Sequence, residues 1–282
     1  MKFGVLRQIP TLGRVSNLPS VWTNCLAAWM VNASVSDALL LMPKKSDFFF
    51  PPDNVLLYLL VGASFCYMGG CTLNDAMDKD FDNQHNPNRP IPSAKISLSQ
   101  AWLLGLIQLG LGGVLLIIGA ECSPLWIALL LLSILSYDWI HKKTAWGIVL
   151  MGGCRTLLWI TAGTAASGMS PAPLLYVWAS TVGLYVVGIS WFARNESIQQ
   201  KNPERDQLLD RLPILLLFAA PLLALAYLVL WNNLDPIRVF LANIAGMLAG
   251  GIAFFAILKM RQKKEGSVGN GVSRLLAGIC AV

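Results

Sequence analysis

The sequence predicts an all-helical, polytopic membrane bundle: eight complete spans and the start of a ninth, in a single domain over residues 1–282. Three observations predict it. The chain is 55% hydrophobic and only 13% charged, with mean hydropathy +0.59, whereas soluble domains carry about 25% charged residues. The charge is confined to short stretches between long apolar runs. Those stretches also alternate between strongly basic and nearly neutral.

Each span follows from its apolar run. About 20 mostly apolar residues cross a bilayer as a helix. Runs of that kind cover residues 18–36, 55–73, 98–120, 124–140, 145–167, 173–193, 212–231 and 238–258. A further run opens at Leu275 and stops at Val282. It is too short to cross, so the chain either ends inside a ninth helix, which is the expectation here, or carries a short interfacial tail.

Orientation comes from Lys and Arg. Segments 1–17, 74–97, 141–144, 194–211 and 259–274 hold 17 of the 21 basic residues. The opposite side holds only Lys44, Lys45 and Arg238, and Arg155 lies within a span. This asymmetry places the N-terminus and the basic loops in the cytoplasm, at a bacterial inner membrane or its organellar equivalent. It also accounts for the net charge of +6 through anionic lipid, with no nucleic-acid partner. The six cysteines form no CxxC pair, and most sit in apolar runs, so neither a disulfide framework nor a zinc site is implied. Residues 1–14 lack the apolar core of a signal peptide.

The chemistry concentrates after the second span, at Asn74–Pro92, which reads NDAMDKDFDNQHNPNRPIP. Asn74, Asp78 and Asp82 stand four residues apart, which on a helix gathers them on one face. Asp75 and Asp80 add charge beside them. Four acids within eight residues repel one another without a cation. Hard oxygen donors of this kind suit Mg²⁺, which binds through one or two carboxylates plus substrate phosphates. Arg89 and Lys95 follow within reach of such phosphates. The competing reading is a solvated loop at a helix end.

Four further groups carry weaker signals. Tyr137, Asp138, His141, Lys142 and Lys143 close span 4, where the lysines either neutralise phosphate or merely anchor the helix. Arg155 sits about ten residues into span 5; an intramembrane Arg faces a cavity or a counter-ion unless it snorkels to the interface. Gly152 and Gly153 beside it permit close helix approach. Arg194, Asn195 and Glu196 close span 6, where Glu196 either completes a metal site or acts as a base, the alternative being a cap. Arg14, Asn17, Pro19, Trp22 and Asn24 open span 1. Asn24 should face the bundle interior, and Trp22 suits the aromatic belt.

On these residues the chain resembles the UbiA superfamily of intramembrane prenyltransferases. Asn74, Asp75, Asp78 and Asp82 followed by Arg89-Pro90 match its NDxxDxxxD…RP motif, and Arg14, Asn17 and Pro19 match its RxxNxP opening. The resemblance implies a nine-helix bundle around a central cavity open to the cytoplasm and to lipid. It implies a polyprenyl diphosphate donor held by Mg²⁺ between two acidic motifs, and a small acceptor, often an aromatic ring. Carried over by position, Asn74, Asp78, Asp82 and Glu196 hold the metal. Arg14, Asn17, Arg89, Lys142 and Arg155 contact the diphosphate, and Asp75 or Glu196 takes a proton from the acceptor. Trp159, Tyr185, Trp191 and Phe192 are candidates to shield an allylic cation, or ordinary packing residues. Two departures stand out. The second motif, commonly DxxxD, reads Ala193-Arg194-Asn195-Glu196-Ser197 with one acid, and the YxxxK of the loop after helix 4 is offset, with His141 four residues after Tyr137 and Lys142 one later. The degenerate second motif leaves open a non-catalytic lipid-diphosphate carrier or transporter. A CDP-alcohol phosphotransferase is disfavoured because its DxxDGxxAR motif does not occur.

Overall fold

A computed structural model describes residues 7–39, 54–141, 144, 146–165 and 171–199, together with Leu222 and Ala226, with backbone alone at 33–39 and 192–199. Predicted spans 212–231 and 238–258 and the start of the ninth lie outside the described residues. Among the described residues every regular element is helical and there is no strand.

The chain enters through α1 (Ile9–Leu12), with a proline in its first turn, where a missing N–H costs nothing. A 3-10 turn at Val15–Asn17 leads directly into α2 (Leu18–Leu39). The second span is α3 (Val55–Met77), followed at once by the short α4 (Lys79–His85). Ser97 opens α5 (Leu98–Val114) with a capping box: its hydroxyl accepts from the Gln100 N–H while the Gln100 side chain accepts from the Ser97 N–H. A π-helical turn, Leu115–Gly119, extends α5. Then come α6 (Pro124–Ile140), α7 (Gly147–Gly163) and α8 (Pro173–Gln199). These six long helices coincide with the first six predicted spans.

Among the described residues three stretches are long and apolar enough to cross a membrane, Val55–Met77, Leu98–Gly119 and Pro173–Trp191; α6 and α7 are apolar but shorter. The outer face of α5 carries Leu103, Leu106, Ile107, Leu111, Val114 and Ile118, all exposed. Water would not tolerate so continuous an apolar stripe, whereas lipid requires it.

Helices α3 and α5 pack as an antiparallel pair through glycines. A Cβ on Gly62 would lie 2.9 Å from Leu116 Cγ and 3.2 Å from the Gly112 carbonyl oxygen; one on Gly69 would lie 3.0 Å from that of Gly105. Gly105 and Gly112 meet α3 reciprocally, against Leu73 and Cys66. Each pair is spaced two helical turns apart, so all four glycines fall on the seam and let the backbones approach closely, as small residues do in membranes. Thr72 and Gln108 share a buried hydrogen bond of 3.2 Å across the same seam.

Neutral side chains tie α2 into the bundle. The Trp159 indole donates to Asn24 Oδ1 at 2.6 Å, Asn32 donates to the Gly163 carbonyl at 2.7 Å, and the Ala172 N–H donates to Asn32 Oδ1 at 2.9 Å. Asn24 therefore faces the interior as its sequence position required. Trp159, at 2% exposure, is a packing strut rather than a free ring face. Trp22 is partly exposed and donates to Ser64 at 2.8 Å.

The packing divides the chain into two units. One comprises Met1–Leu150 and Leu157–Leu175, the other Met151–Thr156 and Tyr176–Val282. In the second, a Cβ on Gly152 would lie 2.5 Å from Val187 Cγ2 and 2.7 Å from the Gly183 carbonyl, and Thr156 donates to the Ala179 carbonyl at 3.2 Å. The close approach expected at Gly152 is present.

Candidate active site

Helix α3 runs four residues past the predicted end of its span and carries Asn74 and Asp75 in its last turn. The helix breaks at Asp78, yet the Asp78 N–H still donates to the Asn74 carbonyl and the Asp82 N–H to the Asp78 carbonyl, both at 2.9 Å. The i, i+4, i+8 register survives the break. Asn74, Asp78 and Asp82 share one face, as their spacing predicts.

These groups are not on a solvated loop. Asn74, Asp75, Asp78 and Asp82 are all buried, Asp82 to 1% exposure, whereas Asp80 is exposed and outside the group. A buried carboxylate needs partners, and here they are arginines. Arg89 Nη1 donates to Asp82 Oδ2 at 2.7 Å and to Asp75 Oδ1 at 3.3 Å; Arg14 Nη2 donates to the same Asp75 oxygen at 3.2 Å. Asn86 donates to Asp82 Oδ1 at 2.9 Å. Burial works against the Arg14 cation, but Cys71 and Asp75 beside it outweigh that loss and raise its pKa.

Hydrophobic packing places the two arginines. Leu12, Ala76, Ile91, Ile96, Ala101 and Leu104 form one buried cluster that clamps α1 and the loop after α4 onto the ends of α3 and α5. The Lys95 N–H closes the loop on the Pro90 carbonyl at 3.0 Å. Arg14 itself adopts a left-handed backbone, φ 46° and ψ 47°. For a bulky side chain that costs about 1–3 kcal/mol and gathers at functional sites.

The far side of the group comes from α6. Asn74 Nδ2 donates to Asp138 Oδ1 at 3.3 Å, and His141 Nε2 lies 3.4 Å from Asp78 Oδ2. The Tyr137 and His141 rings stack with centroids 4.9 Å apart. Asn17 donates to the Tyr67 hydroxyl at 3.2 Å. The sequence grouped Tyr137, Asp138 and His141 but did not foresee that Asp138 and His141 meet the acidic face. Tyr67 it missed altogether. Its signal was its position: Tyr67 stands two turns before Asn74 on the same helix.

The structure thus brings together Arg14, Asn74, Asp75, Asp78, Asp82 and Arg89, while Asn17 meets Tyr67. Lys142 lies outside the described residues. Glu196 falls in the last turn of α8, of which only the backbone is described. Arg155 belongs to the second unit.

The donor chemistry fits a divalent cation. Among the described residues four buried acids, Asp75, Asp78, Asp82 and Asp138, gather with two guanidinium groups. Among the described residues no three His, Cys, Asp or Glu side chains converge into a ready-made metal site. Mg²⁺ needs only one or two protein oxygens and completes its shell from substrate phosphates and water.

The UbiA prenyltransferase family model matches residues 21–268. The chain belongs to the UbiA prenyltransferase family. As a UbiA family member it is an integral membrane protein. A mitochondrial 4-hydroxybenzoate polyprenyltransferase of Aedes aegypti is 29% identical over 143 residues, half of this chain and 31% of that protein. A 4-hydroxybenzoate octaprenyltransferase of Pseudomonas aeruginosa is 27% identical over 168 residues, 56% of each. The chain thus spans from about a third to just over half of the length of these relatives. Among solved structures, a UbiA homologue from Aeropyrum pernix superimposes with TM-score 0.67 at 16% identity, covering 94% of this chain and 93% of that one. A UbiA homologue from Archaeoglobus fulgidus bound to GPP and Mg²⁺ gives 0.57 at 16%, covering 96% and 99%. At such identities these two structures establish the fold alone.

Proposed function

We propose that this UbiA family member is a single catalytic domain that transfers a prenyl group from a polyprenyl diphosphate to a small acceptor within the membrane, with Mg²⁺ as cofactor. The observation that carries the reading is the buried acidic face of α3 and α4, meeting Arg14 and Arg89 in one unit. The curated relatives support an aromatic acceptor like 4-hydroxybenzoate, and the GPP and Mg²⁺ complex of the Archaeoglobus homologue supports the donor class and the metal.

Asn74, Asp78, Asp82 and Glu196 would hold Mg²⁺. When bound, the ion neutralises negative charge that develops on the diphosphate leaving group. The residues of the chain do the rest. Arg14 and Arg89, with Asn17, Lys142 and Arg155, bind and orient the diphosphate; fixed cations aimed at the leaving group stabilise the transition state more than the ground state. Asp75, gripped by both arginines, holds them in place. Asp75 or Glu196 accepts the acceptor's proton. The apolar spans exclude water, which would otherwise capture the allylic cation. The site opens to the cytoplasm, on the side that carries most of the Lys and Arg, and the prenyl tail enters from lipid.

The test is direct. Purified protein in sealed proteoliposomes receives radiolabelled farnesyl or geranylgeranyl diphosphate, 4-hydroxybenzoate and Mg²⁺, and lipid extracts are read by mass spectrometry. A covalent prenylated product with released diphosphate is expected. Recovery of the donor intact on the far side of the membrane would instead mark a carrier, the alternative that the single acid of Arg194-Asn195-Glu196 leaves standing.

A further inference from the structure

Asp138 occupies a position that local structure disfavours. It lies in the last turn of α6, an otherwise apolar helix, and is 4% exposed. The C-terminal end of a helix carries partial negative charge, so a carboxylate there is repelled. Burial disfavours it again. Its Oδ2 is buried and has no hydrogen-bond partner among the described residues. Packing alone would have placed a leucine here.

What Asp138 does have is Asn74. Its Oδ1 accepts from Asn74 Nδ2 at 3.3 Å, and His141 Nε2 lies 3.5 Å from the same nitrogen. An asparagine amide has a donor end and an acceptor end of almost identical shape. Only its carbonyl oxygen can bind a cation. A flipped Asn74 would set that oxygen against the Asp138 carboxylate, so the carboxylate decides which end faces the acidic group. Among the described residues no donor reaches Asn74 Oδ1, which leaves it available as a ligand. We propose that Asp138 is a positioning residue that fixes the Asn74 amide so that its carbonyl oxygen is presented to the divalent cation. The proposal rests on the metal-dependent reading above, and it adds a residue on α6 to a site built on α3 and α4.

The test measures binding rather than turnover. Full-length protein in detergent is titrated with Mn²⁺ in the presence of geranyl thiodiphosphate, a slowly reacting donor analogue, and free Mn²⁺ is read by electron paramagnetic resonance. Partners that orient metal ligands typically contribute about 10- to 100-fold in affinity. Asp138→Ala should therefore weaken Mn²⁺ binding about tenfold or more, with little change in thermal unfolding. Asp138→Asn, whose side-chain oxygen still accepts from Asn74, should stay within about threefold of wild type, and carries the test should the alanine variant fail to fold. In an Asn74→Asp background both ends of residue 74 are oxygens, so Asp138→Ala should add no further loss. Unchanged affinity in Asp138→Ala overturns the proposal. So does an Asp138→Asn variant as weak as Asp138→Ala, because the carboxylate charge would then act on the cation itself. A wild-type protein that binds no Mn²⁺ sinks the metal reading first and this proposal with it.

Discussion

Two buried polar groups in the same unit invite comparison. One joins α2 to the end of α7 through Asn24, Trp159, Asn32 and the Gly163 carbonyl. It is neutral, its bonds are 2.6–2.9 Å long, and each amide oxygen has its donor. The other gathers Arg14, Asn74, Asp75, Asp78, Asp82, Arg89 and Asp138 at the end of α3. It is charged, several of its contacts exceed 3.2 Å, one carboxylate oxygen has no partner among the described residues, and Arg14 is held in a left-handed conformation. A group that only stabilises a fold has every reason to be neutral and satisfied. A group left charged and incompletely paired is arranged for something that binds to it. The first group is read as a fold determinant and the second as a site.

That contrast breaks most readily at Asp78. Asp78→Ala, or chelation of Mg²⁺, should lower prenyl transfer by about a thousandfold or more, since cation stabilisation of a leaving group is the main catalytic term available. A variant that transfers at the wild-type rate would remove Asp78 from the site. Arg89→Ala should cost about a hundredfold in kcat/KM, the scale of one lost stabilising donor; loss of folding in place of loss of rate would move Arg89 into the structural class. Glu196→Gln should lower kcat about tenfold or more with donor KM little changed if Glu196 is the base. A shift in Mg²⁺ dependence at constant kcat would make it a ligand. At the other group the expectation reverses. Asn24→Leu leaves the Trp159 N–H without its acceptor, so unfolding should ease by about 1–2 kcal/mol. Activity per folded molecule should hold, and a large specific loss of transfer would erase the distinction between the two groups.

The acidic face was legible because a four-residue spacing fixes a helical face whatever surrounds it. The family motif sharpened that reading. Burial was not legible: NDAMDKDFDNQH has the composition of a solvated loop, and only the clamp of Leu12, Ile91 and Ile96 shows that the loop folds back over its own acids. The arginine partners of Asp75 and Asp82 were hidden for the same reason. Asp138 and His141 read as the basic end of a span because nothing in the order of residues says that α6 ends beside α3.

Alone, the sequence determined that the chain crosses a membrane, where six described helices lie, and which oxygen donors share a face. These follow from hydropathy, charge counting and helical period, properties of residues close together in the chain. The tertiary structure alone decided the pairing of each carboxylate, the close meeting of Gly62 and Gly69 with Gly112 and Gly105, and the approach of Asp138 to Asn74. Those depend on which faces of separate segments turn toward each other, and no local period encodes that.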